Sequence, residues 1–274
     1  MRFIRFAFVL RAILPALALS LPLAAQTTSS ASQAPVSDPQ AVALASRAFG
    51  LLVGSSALQD ITLTGSATRT VGADEESGTV MLRALGNSES RIDLNLSNGQ
   101  RSEMRTSLNG APQGVWLGTS GSNNAMAQHN CLTDAAWFFP AFTVLSQLSN
   151  PNLIVKYLGE ETRGQESVQH LRFFLTIPDS SVDPSGLYSR LTQEDLYLDA
   201  TSLLPVALAF NTHPDNNALV KIPVEIDFSN YQAVNGAQVP FHIQKFLNGT
   251  LLLDITVQSA ELNSGLADSV FSSN

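Results

Sequence analysis

The stretch "VNGAQVPFHIQKFLNGT", from Val234 to Thr250, contains two Asn-Gly pairs, Asn235-Gly236 and Asn248-Gly249. Asn-Gly favours type I′ hairpin turns, because both residues tolerate the positive φ angles that match the twist of antiparallel strands. Alternating apolar and polar residues flank both pairs, a pattern typical of strands with one face in water. The stretch therefore predicts a strand between two hairpin corners of an antiparallel meander.

The same pattern extends over most of the chain. Two further pairs, Asn98-Gly99 and Asn109-Gly110, separate segments that alternate with a period of two, such as "SRIDLNLS" at residues 90–97. We count about ten or eleven strands, and a single sheet of that size must curl strongly. The predicted fold is mainly β (α+β), a single strongly curved antiparallel sheet or half-open β-barrel.

Two segments of the sequence predict helices. Apolar residues recur at helical spacing between Asp38 and Leu58, with Pro39 in the first turn, which predicts an amphipathic helix packed on the sheet. The second segment, residues 129–151, is apolar almost all round from Ala135 onwards, and Pro140 should kink it or mark its first turn. We expect this central helix to be a lid or plug that is buried or binds an apolar ligand.

The first 25 residues have the layout of a secretory signal peptide. Arginines precede an apolar run, "AILPALALSLPLAA", that ends in small residues. We expect a cleaved signal peptide at residues 1–25, a flexible leader at 26–37 and a single domain at 38–274. An uncleaved amphipathic anchor is the alternative. Because no cysteine lies near the expected cut, we expect a periplasmic protein that is not lipid-anchored.

Charge and cysteine content exclude several classes of partner. Removal of the three arginines in the first 25 residues takes the formal net charge from −8 to −11. Nucleic acid binding needs clustered Lys and Arg, so we expect no nucleic acid partner, and adhesion to anionic lipid surfaces is disfavoured too. Cys131 is the only cysteine, and it is expected to be a small buried apolar residue in a monomer.

The closing section of the chain carries a characteristic order of residues. An Asp-bearing strand leads to Leu-Pro, a Tyr precedes a Gly, and Pro, Gly, Asn and a terminal Phe follow, here Asp195, Leu204-Pro205, Tyr231, Gly236, Pro240, Gly249, Asn263 and Phe271. This order resembles that of the outer-membrane lipoprotein-sorting carriers and of the related mycobacterial lipid-carrier lipoproteins. The resemblance implies a half-open β-barrel with helices across its concave side and an apolar inner cavity.

Motifs of enzyme chemistry are missing from the sequence. It contains no Gly-x-Ser-x-Gly, no His-Glu-x-x-His, no phosphate-binding Gly loop and no Cys-x-x-Cys. The four histidines, His129, His170, His213 and His242, are isolated, and we interpret them as structural or solvated. We predict a protein that is not an enzyme and needs no cofactor or metal. A Ser-His-Asp triad assembles only in space, so an exported hydrolase remains an alternative.

The candidate ligand site consists of apolar side chains. Carrying an acyl chain through water requires an apolar lining, worth about 0.8 kcal/mol per buried CH₂, and a lid that excludes water. Core packing is the alternative role for each residue, and an inward-facing Arg69 or Arg83 would suit a lipid head group. The predicted hydrophobic ligand-binding residues are Trp137, Phe138, Phe139, Phe142, Trp116, Phe173, Met81 and Met104.

These observations predict an exported, soluble binder or carrier of hydrophobic ligands in the cell envelope. Its expected partners are a lipid or an acylated protein, together with donor and acceptor proteins at the envelope membranes. The first alternative is a structural or interaction module whose barrel is filled by its own side chains. An empty cavity in place of a packed one distinguishes the carrier from this module.

Overall fold

The computed structural model describes residues 35–55, 57–179 and 181–272 of the 274-residue chain. The predicted signal peptide at residues 1–25 and most of the predicted leader at 26–37 lie outside the described residues. Within the described ranges, no helix is both long enough and apolar enough to cross a membrane.

In the part of the chain that the structure describes, thirteen strands form one antiparallel sheet. Their bounds are β1 Asp60–Val71, β2 Asp74–Leu85, β3 Glu89–Leu96, β4 Gly99–Leu108, β5 Ala111–Leu117, β6 Asn123–Ala125, β7 Leu153–Arg163, β8 Glu166–Leu175, β9 Glu194–Asp199, β10 Pro205–Thr212, β11 Ile222–Val234, β12 Ala237–Leu247 and β13 Thr250–Leu262. The count exceeds the ten or eleven predicted, in part because the three-residue, fully exposed β6 has no apolar alternation by which to recognise it.

The sheet consists of two meanders joined through their first and last strands. The spatial order is β6-β5-β4-β3-β2-β1-β13-β12-β11-β10-β9-β8-β7, and β1 pairs with β13 between the two meanders. The sheet is not closed, because β6 and β7 lie at its opposite edges. The mainly β, single-sheet prediction is confirmed.

The Asn-Gly corners have the backbone conformation that the sequence predicts. Asn235 and Gly236 have φ angles of 48° and 87°, and Asn248 and Gly249 have 50° and 76°. Both pairs therefore adopt the positive φ angles of a type I′ turn. The two turns connect β11 to β12 and β12 to β13, so the quoted stretch is one strand and its two corners.

One face of the sheet carries the hydrophobic core, and we call it the inner face. Directly paired residues on antiparallel strands share a face, so the register assigns each side chain to a side. Ile243 and Ile255 are paired on β12 and β13, and both are fully buried, as is Ile226 on β11. The core also includes apolar residues of the N-terminal helix and of residues 136–145, which cover the inner face.

The N-terminal helix, α1, spans Pro39–Val53 and ends five residues before the predicted end. Its buried face is made of small residues and Leu52, and it contacts β7 and β12. Gly54 ends the helix with a φ of 59°. A Cβ at Gly54 would lie 2.2 Å from the carbonyl oxygen of Gly236, so the helix end packs directly against the first Asn-Gly corner.

The link between the edge strands β6 and β7, residues 126–152, is the central segment. It differs from the predicted helix, since it contains the 3₁₀ turns Gln128–Cys131, Pro140–Phe142 and Val144–Gln147. Proline disfavours helical geometry in the residue before it, and Phe139 is extended with φ −131° and ψ 101°. Proline also lacks the N–H that a continuing α-helix requires. The segment is nevertheless buried in the core, as the plug prediction requires.

Candidate functional site

Topology places the central segment across the inner face. The segment connects the two opposite edges of the sheet, so the chain must pass over one of the two faces. It passes over the apolar one, where Trp137, Phe138, Phe139 and Phe142 are between 0 and 4% exposed. The segment thus covers the concave interior and fills part of it.

The aromatic side chains of the central segment pack edge to face. Trp137 and Phe138 have ring centroids 5.8 Å apart at 83°, and Phe139 and Phe142 have centroids 5.1 Å apart at 85°. Phe173 on β8 is fully buried in the same core. Five of the eight predicted ligand-binding residues are therefore together on the inner side, and there they pack against one another.

Two buried polar contacts attach residues 133 and 134 of the central segment to the sheet. The guanidinium of Arg105 on β4 donates to the Thr133 carbonyl at 2.8 Å, and the Asp134 N–H donates to the Glu194 carboxyl on β9 at 2.6 Å. Asp134 in turn accepts from the Val144 N–H at 2.7 Å. All the residues of this attachment are buried, and Arg105, Asp134 and Glu194 are each at most 5% exposed.

The two buried carboxyl groups influence each other's titration. Burial raises the pKa of Asp134 to about 6, and it raises the pKa of Glu194 well above its ordinary range, with the charge of Asp134 adding to the effect. Two carboxyl groups this close in a dry site cannot both ionise without a large cost. The attachment of the segment is therefore most favourable while the pair holds a proton.

A cavity of about 330 Å³ opens beside Trp137, and we call it the charged cavity. The inner face becomes polar here, because Glu103 and Arg105 on β4 both point inwards. Trp116 on β5 is paired with Glu103 and therefore lies on the same face. Lys245 on β12 faces Leu253 of the inner side across the strand pair. Trp116, the sixth predicted ligand-binding residue, is 44% exposed at the rim.

Lys245 and Trp137 each carry a donor group with no hydrogen-bond acceptor among the described residues. The Lys245 ammonium lies 4.3 Å from the centre of the Trp137 ring, a cation–π contact. The Trp137 indole Nε1 is buried and has no hydrogen-bond partner among the described residues. Burial lowers the pKa of Lys245, and the nearby Glu103 carboxylate acts in the opposite direction.

A second, apolar opening lies at the other side of the central segment. It has a volume of about 400 Å³ and lies between α1 and the segment. Phe49 and Val53 of α1 line one wall, and Ala141 and Phe142 of the central segment line the other. We call it the apolar crevice.

The remaining two predicted residues lie on the other side of the sheet. Met81 is 39% exposed and is paired with Asp93. The Asp93 carboxylate accepts a hydrogen bond from Arg91 on the outer face. Met104 is paired with Arg91, so it faces the same way; it is buried near the C-terminal turn Asp268–Phe271, which packs on β3 and β4. The register thus separates both methionines from the inner site.

Sequence reasoning missed a row of hydrogen bonds across three strands. Ser229 Oγ lies 3.0 Å from His242 Nδ1, and His242 Nε2 lies 3.0 Å from the Asp254 carboxylate. Gln244 also donates to Asp254, at 2.7 Å. The row lies on the outer face, where the His242 and Asp254 side chains are 34% and 32% exposed. It has the residue types of a hydrolytic triad, but it faces open solvent.

Comparison with solved structures identifies the class of fold. An outer membrane lipoprotein-sorting protein domain from Vibrio parahaemolyticus is similar over 85% of this chain and 96% of its own, with a TM-score of 0.52 and 11% identity. A DUF1329 family protein from Desulfovibrio piger is similar over the same shares, with a TM-score of 0.55 and 10% identity. The resemblance to lipoprotein-sorting carriers is therefore confirmed for the fold. No protein-family model and no curated protein matches the sequence.

Proposed function

We propose that this protein is an exported carrier of hydrophobic ligands, either lipids or the acyl chains of lipoproteins. The ligand is taken up on the inner face of the sheet, beneath the central segment. The donor and the acceptor are proteins or membranes of the cell envelope. The chemistry is binding alone, and no step requires a cofactor.

The observation that carries this proposal is how the central segment is attached. Its described backbone–backbone hydrogen bonds between residues 135 and 148 all stay within the segment, for example Phe142 N–H to the Phe139 carbonyl at 2.9 Å. The segment can therefore lift from the inner face without breaking a hydrogen bond of the sheet ladder. Residues 135–148 are held by apolar packing and by the buried contacts at Thr133 and Asp134, while Asn130, nearer to β6, is hydrogen-bonded to His213.

An acyl chain can replace that packing. When the aromatic side chains of the segment move outwards, the apolar inner face loses contacts, and an acyl chain restores them at about 0.8 kcal/mol per buried CH₂. Binding is then coupled to opening, and the apparent affinity is the intrinsic affinity multiplied by the fraction of protein that is open. While no ligand is bound, the central segment fills the interior. It thereby keeps water away from the apolar inner face and prevents two copies of the protein from associating through that face.

A titration with a fluorescent fatty acid tests the proposal. Phe142→Ala removes a 4%-exposed ring that lines the apolar crevice, which weakens the cover and makes room for a chain. We expect this variant to bind the fatty acid more tightly than the wild type. Leu108→Ala, at a 56%-exposed position of β4, is the matched control and should bind like the wild type. If neither the wild type nor Phe142→Ala binds the probe, the carrier proposal is wrong.

A further inference from the structure

We propose that the charged cavity binds the anionic head group of the ligand, a carboxylate or a phosphate, through the Lys245 ammonium and the Trp137 indole N–H. This inference rests on the proposed function and specifies the ligand class. It replaces a generic apolar ligand by an amphiphile with a negative charge at one end.

The cavity wall contains a buried hydrogen-bond donor that no described residue satisfies. The Trp137 side chain is 2% exposed, yet its Nε1 has no acceptor among the described residues. A buried N–H that is left unpaired has lost its hydrogen bond to water, and a ligand oxygen would restore that bond. Lys245 has no hydrogen bond or ion pair within the described ranges, and its contact with Trp137 places the two donors on the same cavity wall.

The charge of the cavity favours an anion. Arg105 and Lys245 contribute two cations, while Glu103 contributes one buried carboxylate, 3.9 Å from Arg105. The other acidic lining residue, Asp215, is exposed, so water screens its charge. One cation in excess remains among these lining residues, because Lys245 and Arg105 share the single Glu103 carboxylate.

His213 supplies an acceptor in the same cavity. Its Nδ1 lies 2.7 Å from the Val220 carbonyl, which assigns the proton of the neutral ring to Nδ1. Its Nε2 is buried, has no partner among the described residues, and is free to accept. Burial lowers the pKa of His213, which favours this neutral form. A hydroxyl or a singly protonated phosphate on the ligand would supply the matching donor.

The size and position of the cavity fit a head group. A volume of about 330 Å³ is at the lower end for small-molecule sites and does not need to hold an acyl chain. Trp137 borders both the cavity and the aromatic core of the central segment. An amphiphile can therefore place its charged end at Lys245 while its chain continues under the segment.

Three ligands with the same kind of monounsaturated hydrocarbon chain and different head groups test the inference. Oleate carries a carboxylate, oleoyl lysophosphatidate carries a phosphate, and oleyl alcohol carries no charge. Binding to the exported, purified protein is measured for the wild type and for Lys245→Met, which keeps an unbranched side chain over Trp137. Arg163→Met is the matched control, because Arg163 also stacks on a ring, Tyr197 at 4.1 Å, but neither residue lines the charged cavity.

We expect Lys245→Met to weaken binding of at least one anion by about tenfold to a hundredfold, the effect of losing a charged hydrogen bond, and to leave oleyl alcohol unchanged. The anion that is affected identifies the head group. Trp137→Phe keeps an aromatic ring but removes the indole N–H, and it should weaken binding of the same anion by about two- to tenfold. Equal binding of both anions by Lys245→Met and the wild type overturns the head-group inference and leaves the carrier proposal intact. If the wild type binds none of the three ligands, both are overturned.

Discussion

The buried pair Asp134 and Glu194 predicts an unusual dependence of stability on pH. In the folded protein, burial raises the pKa of Asp134 from 3.8 to about 6. The folded state therefore holds this proton more tightly than the unfolded state. Its contribution to stability is complete below pH 3.8 and is lost as pH rises through about 6. The shift corresponds to about 3 kcal/mol of unfolding free energy.

Asp134→Asn isolates this contribution. Asparagine keeps an oxygen that can accept from the Val144 N–H, and it does not titrate. Denaturant unfolding is measured for the wild type and the variant at several values between about pH 4 and pH 7. We expect the stability of the variant relative to the wild type to increase by about 3 kcal/mol across this range. A difference that is constant with pH refutes the account of the buried pair.

Asp60→Asn is a control of opposite sign. Burial alone would raise the pKa of Asp60, but hydrogen bonds from Gly265, Ser264 and Leu266 outweigh it, and the pKa is lowered. A carboxyl group whose pKa is lowered by folding stabilises the folded state at pH values above its unfolded pKa, and this stabilisation is lost as pH falls. Asp60→Asn should therefore be most destabilising near neutral pH and least destabilising in acid. If the stability difference from the wild type changed with pH in the same direction for both variants, its cause would lie outside these two sites.

Three further outcomes follow from the geometry. Gly65→Ala would place a Cβ 2.1 Å from the Thr256 carbonyl oxygen. We expect the free energy of unfolding, measured by heat or denaturant, to fall by about 1–3 kcal/mol. Unchanged stability would contradict the close approach of β1 and β13. Ser229→Ala should hydrolyse p-nitrophenyl butyrate no more slowly than the wild type, because the row with His242 is open to water; a wild-type rate that Ser229→Ala abolishes would make the protein a hydrolase. In Trp116→Phe, the fluorescence of the buried Trp137 should resist acrylamide, and ready quenching would place that ring at the surface.

The sequence predicts the sheet well because its signals are local. An Asn-Gly pair such as Asn235-Gly236 determines a turn by its own backbone preference, and alternation along a strand identifies its apolar face. The central segment is harder to predict, because apolar residues on all sides are compatible with a helix. The extended Phe139 before Pro140 decides against one.

The polar part of the site depends on strand register, which a single sequence does not contain. Glu103 and Arg105 alternate on β4 as solvent-facing residues would, and only their pairing with inward residues such as Ile92 places them inside. Ser229 and His242 likewise meet because β11 and β12 align them. The sequence contains one local signal of this polar site. Apolar residues do not alternate regularly along β4, which is consistent with charged side chains on its inward face.

Mass spectrometry of lipid extracted from the exported protein, purified without detergent, tests the carrier proposal most directly. The proposal predicts a stoichiometric amphiphile with an acyl chain and an anionic head group. A folded Phe139→Asp variant, which places a charge at a fully buried position of the cover, should lose it. A wild-type protein that is empty and that also fails to bind added fluorescent fatty acid would contradict the proposal. The interior would then be filled only by its own side chains, and the protein would act through its surface.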